Sequence, residues 1–103
     1  MYGYTLHFPA PIDVYLTMHR AIMEVVSEDG EVEGLLLHYA YPTQEGFDLV
    51  EVWESKDQLE AFNRDVLPKA MARAGVPADG PMPQPVEFTP AVVLTPRAFS
   101  SDS

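Results

Sequence analysis

The stretch GLLLHYAYPTQEGFDLVEVWESKDQLEAFNRDVLPKAMARAG, residues 34–75, decides the fold. Leu35 to Tyr41 and Phe47 to Glu54 are rich in Leu, Val, Tyr and Trp and read as two strands. Pro42-Thr43-Gln44-Glu45-Gly46 between them reads as a hairpin turn. Ser55-Lys56-Asp57-Gln58 then has the form of a capping box, with Ser at the cap and Gln three residues on. Leu59, Phe62, Val66, Ala70 and Met71 give the following helix a buried stripe. Pro68 lies inside that stripe, where it kinks the helix or marks a turn. Ala74-Gly75 closes it.

On the N-terminal side, Tyr2, Tyr4, Leu6 and Phe8 alternate with Gly3, Thr5 and His7, the period of a strand. Pro9-Ala10-Pro11 ends it, because proline lacks the N–H a ladder needs. A helix over about residues 11–28 follows, with Ile12, Tyr15, Leu16, Met18, His19, Ile22, Val25 and Val26 on one stripe. Gly30 stops it. On the C-terminal side, VPADGPMPQP (76–85) holds four of the ten prolines and reads as an extended connector. Val86 to Leu94 reads as a last strand, on an edge because of Pro90.

The order is strand, helix, strand, strand, helix, strand. Right-handed crossovers turn this into an α+β, ferredoxin-like βαββαβ domain with a four-stranded antiparallel sheet in order 4-1-3-2. Residues 1–96 form this single domain, and 97–103 read as a flexible tail. Two helices cover one sheet face, and large apolar groups populate both. A bare apolar face of that size favours a homodimer, sheet against sheet.

Composition narrows the function classes. The chain has 103 residues, of which 16 are acidic and 6 basic, for a formal net charge of −10. Affinity for nucleic acid comes mainly from neutralising phosphates, so nucleic acid is not expected as a partner. An anionic membrane surface is disfavoured for the same reason. No apolar run approaches the roughly 20 residues that span a bilayer. The N-terminus has neither the basic nor the apolar region of a signal peptide. With no cysteine, the chain suits a reducing cytoplasm.

Glu51, Trp53, Glu54 and Ser55, with Phe62 further along the helix, resemble the marker of the dimeric α/β-barrel superfamily. The resemblance is to its antibiotic-biosynthesis-monooxygenase-like (ABM-like) group. Members include cofactor-independent oxygenases of aromatic polyketides and haem-degrading enzymes. The resemblance implies paired sheets and a cavity between sheet and helices in each subunit, with Trp53 on its wall. Haem-degrading members carry a ligating histidine on the second helix, where this chain has Asn63. They and the polyketide oxygenases also carry an asparagine on the first strand, near which this chain has Thr5 and His7. The resemblance therefore points away from haem. It leaves Trp53 and Tyr39 as counterparts of the oxygenases' pocket Trp and Tyr.

If Tyr41 pairs with Phe47 across the turn, Leu35, Leu37, Tyr39, Leu49, Glu51 and Trp53 share one face. Leu36, His38, Ala40, Val50 and Val52 then share the other, towards the helices. A one-residue slip or bulge would reverse one set against the other. The expected proton-transfer residues are His7 and Glu51. His7 lies on the sparser face of the first strand; Glu51, if buried beside apolar groups, would have a raised pKa and act as a base near neutrality, the other reading being a solvated or salt-bridged strand carboxylate. Trp53, Tyr39, Thr5 and His38 are the expected ligand-binding residues. His38 also fits a hydrogen-bonded core histidine, and Trp53 a core or interface filler. The three histidines show no metal-binding spacing, and no glycine-rich phosphate loop is present, so neither metal nor cofactor is expected. Two functions remain open. One is an oxygenase-like enzyme acting without cofactor on a small apolar or aromatic compound; the other is a non-catalytic ligand-binding or accessory homodimer.

Overall fold

A computed structural model describes residues 1–77 and 83–93. The elements are β1 (Tyr2–Phe8), α1 (Ile12–Asp29), β2 (Leu35–Pro42), β3 (Phe47–Trp53), α2 (Lys56–Asp65), α3 (Leu67–Ala74) and β4 (Val86–Phe88). The four strands form one antiparallel sheet in the order β2-β3-β1-β4, as expected and compatible with a ferredoxin-like fold.

The hairpin register differs from expectation by one residue. Pro42, not Tyr41, pairs with Phe47, and Tyr41 faces Asp48. Pro42 itself therefore belongs to the strand end, and the turn is closed by the Thr43 N–H donating to the Gly46 carbonyl at 2.8 Å. A bulge between Leu35 and Leu37 restores pairing of Leu35 with Trp53 at the far end. The slip moves a whole set of side chains. His38 stands opposite Glu51, so Glu51 and Trp53 share its face, and Leu37 and Tyr39 lie on the other.

That shared face is the one the helices cover. Tyr4 and Leu6 of β1, Trp53 of β3 and Leu59 of α2 form one buried cluster, flanked by Tyr2, Phe8, Leu49 and Phe62. A second cluster joins Ala21 and Val25 of α1 to Ala70 of α3. Ion pairs fasten these helices further: Lys69 with Asp29 at 2.6 Å, and Arg73 with Glu28 and Glu24. Leu16, expected in the buried stripe, is 50% exposed. It lies five residues before Ala21, on the far side of the helix from the small-residue contact.

The cap and the break behave as their residues dictate. Ser55 Oγ accepts from the Gln58 N–H at 3.3 Å and donates to Gln58 Oε1 at 3.1 Å. Pro68 sits in the first turn of α3, so the expected single helix is divided at Val66.

β4 is much shorter than the expected Val86–Leu94. It ends at Phe88, ahead of Pro90, whose missing N–H cannot continue the ladder. The following residues instead help to cover the second sheet face. Phe88 lies over Gly3, where a Cβ would collide with its ring. Pro90, Val92 and Val93 line a groove of about 380 Å³ with Leu37, Tyr39, Val50 and Val52. The face expected to be bare is thus partly roofed by its own chain. Leu94 and the tail 97–103 lie outside the described residues.

Candidate functional site

Between the sheet and α1 runs a continuous chain of polar groups centred on Glu51. Its carboxylate is 5% exposed and is the one charged group in the core of the described residues. Buried carboxylates need partners. Oε1 accepts from the Tyr4 hydroxyl and from the Trp53 indole N–H, the latter at 3.0 Å. Oε2 lies 2.6 Å from His38 Nδ1. His38 Nε2 in turn lies 2.5 Å from the Tyr15 hydroxyl.

The strands set this geometry. Tyr4, Glu51 and His38 occupy adjacent positions on β1, β3 and β2, a single row across the sheet. Trp53 is two residues from Glu51 on the same side of its strand. Tyr15 reaches down from α1, with its ring 5.8 Å from those of His38, His19 and Phe47. His19, one turn further along α1, stacks at 6.4 Å on His38 and is exposed, so the cluster meets solvent at this rim.

The charge state follows from the donors. Burial pushes the Glu51 carboxyl up, but hydrogen bonds from His38, Tyr4 and Trp53 together hold it below its ordinary value. The raised pKa expected of an acid beside apolar groups is therefore corrected in favour of the salt-bridged alternative: Glu51 is buried, yet paired with His38 and ionised near neutrality. An ionised carboxylate can only accept, so His38 carries its proton on Nδ1. With the proton on Nδ1 alone, the Nε2 lone pair faces the Tyr15 O–H. Burial, and after it the Glu51 charge, raise the Tyr15 pKa, so the phenol is protonated. Burial and Glu51 do the same to Tyr4, far more strongly. The row thus joins a fixed anion, an oriented imidazole and a half-buried phenol. It can accept a proton at the outer end and stabilise the imidazolium at the inner end.

No protein-family model matches this chain, and no curated protein is similar to it.

Of the six residues singled out in the sequence, Glu51, Trp53 and His38 come together here. His7, Thr5 and Tyr39 lie on the opposite sheet face. His7 is partly exposed and pairs with Asp48, its Nδ1 2.6 Å from Oδ1. Tyr41 donates to the other Asp48 oxygen at 3.0 Å. Tyr39 is 47% exposed and stacks at 6.2 Å on Tyr41. Sequence pattern alone gives Tyr4 and Tyr15 no chemical role. The available signal was a tyrosine on each buried stripe, whose hydroxyl needs a partner once buried. Among the described residues no three His, Cys, Asp or Glu are placed to hold a metal, and no helix is long and apolar enough to cross a membrane.

Proposed function

We propose that this chain is a homodimeric, ABM-like dimeric α/β-barrel enzyme that oxidises a small apolar aromatic compound without a bound cofactor. The observation that carries the reading is the Tyr15–His38–Glu51 chain. Glu51 and Trp53 belong to the segment whose resemblance suggested the family, and both touch this chain. Removing a proton from a phenol, enol or activated CH₂ yields a carbanion or oxyanion rich enough to reduce O₂ directly. For an anthrone, the ring CH₂ becomes C=O; one oxygen atom stays in the product and the other leaves as water. The substrate supplies the electrons, and the protein need only take and return protons. The homodimer reading is supported by the second sheet face, where Leu37, Tyr39 and Phe88 remain 40–47% exposed around the groove.

A second reading is favoured by one observation. Trp53 is completely buried among Tyr4, Leu6 and Leu59, as in a protein whose aromatic residues serve packing alone. Oxygen uptake and anthraquinone formation from anthrone separate the two. The enzyme reading expects turnover that His38→Ala abolishes and His7→Ala leaves unchanged, because His7 lies across the sheet. Absence of turnover above the buffer rate favours the non-catalytic homodimer.

A further inference from the structure

From the geometry of the polar row we infer that Tyr15 is the catalytic residue that touches the substrate, with its hydroxyl relaying the substrate's proton to His38. The inference rests on the proposed function and specifies which atom of that site reacts.

Every inner position of the row is already committed. Both Glu51 oxygens are engaged, Oε1 by Tyr4 and Trp53 and Oε2 by His38 Nδ1. His38 Nε2 is engaged by the Tyr15 hydroxyl. An imidazole has only two ring nitrogens, so His38 has no free site at which to meet a substrate. A phenol that donates one hydrogen bond still has acceptor capacity on its oxygen. Tyr15 is half-buried and sits at the rim with exposed His19, whereas Tyr4 and Glu51 are enclosed. The Tyr15 oxygen is therefore the last atom of the hydrogen-bonded row, and the only one in it that keeps a free acceptor site beside the half-exposed rim.

The proton step balances without any redox partner. The substrate O–H or C–H bond breaks as its proton binds the Tyr15 oxygen, while the Tyr15 proton passes to His38 Nε2. His38 becomes an imidazolium paired with the Glu51 carboxylate, and the substrate becomes an anion. Tyr15 is neutral before and after, so its high pKa is no obstacle. The Tyr15, His19 and His38 rings stack on one another with centroids 5.8–6.4 Å apart beside the relay, an aromatic surface that suits a planar aromatic substrate.

The test is anaerobic exchange of the anthrone CH₂ protons for deuterium in D₂O, followed by NMR. Excluding oxygen separates proton transfer from oxidation. Wild type is expected to accelerate exchange, and Tyr15→Phe to lower kcat by roughly a hundredfold with KM unchanged. His38→Ala should lose exchange as well. A fluorinated tyrosine at position 15, more acidic than tyrosine, should shift the pH–rate profile while preserving the fold; it gives the answer should the Phe variant misfold. Exchange by Tyr15→Phe at the wild-type rate while His38→Ala is dead would overturn the Tyr15 role and leave the proposed function standing. A change in KM alone, or an unmoved profile in the fluorinated protein, would also overturn it. Wild type no faster than buffer would overturn the function reading and this inference together.

Discussion

Glu51 is ionised although buried, and three donors on three neighbouring side chains explain why. Each hydrogen bond to a charged group contributes about 1.5–3 kcal/mol. Tyr4→Phe removes one of them while keeping the ring that packs against Leu6 and Trp53. It should therefore cost about 2 kcal/mol in urea unfolding. The same reasoning fixes an acid-side signature. The folded pKa of Glu51 lies below the ordinary 4.5, so the unfolded chain takes up this proton first. Its contribution to stability is complete above that value and is lost as pH falls through the lower folded pKa. Glu51→Gln should be less stable than wild type near neutrality, and the gap should narrow on acidification below 4.5, followed by melting temperature. Asp48 is depressed too, chiefly by its bond from His7, so comparison with the variant is what isolates Glu51.

Local chemistry fixes the elements more firmly than their alignment. The helix cap at Ser55, the interruption at Pro68 and the strand alternation in β1 follow from local chemistry, and each stands where the residues put it. Ser55→Ala should cost about 1 kcal/mol in thermal or chemical unfolding, as an N-cap lost without replacement. The hairpin register did not follow from local chemistry. The turn residues admit two alignments a single residue apart, and a bulge near Leu35 is invisible to alternation. That one residue decided whether Glu51 and Trp53 met His38. The site was legible as a set of residue types, and its assembly was not. β4 failed for a related reason. An apolar run containing Pro90 fits an edge strand equally well as a strand followed by a turn.

At the scale of the whole molecule, two layers divide the work. The helix-covered face holds the core and the polar row, and the opposite face holds the groove that the segment after β4 only partly closes. The proposed pairing of two copies through that second face makes its own prediction. Tyr39→Lys should shift sedimentation to the monomer, with helix content unchanged, because a charge there meets its counterpart's apolar surface. The architecture was legible because element order and crossover handedness leave few arrangements for six segments. The division of chemistry between faces was not, because it depends on register. Trp53 is the chain's single tryptophan, it is shielded from solvent, and its indole N–H bonds directly to the Glu51 carboxylate. Its fluorescence is thus a label-free optical gauge of that carboxylate's charge, native to the protein and free of background from any other indole.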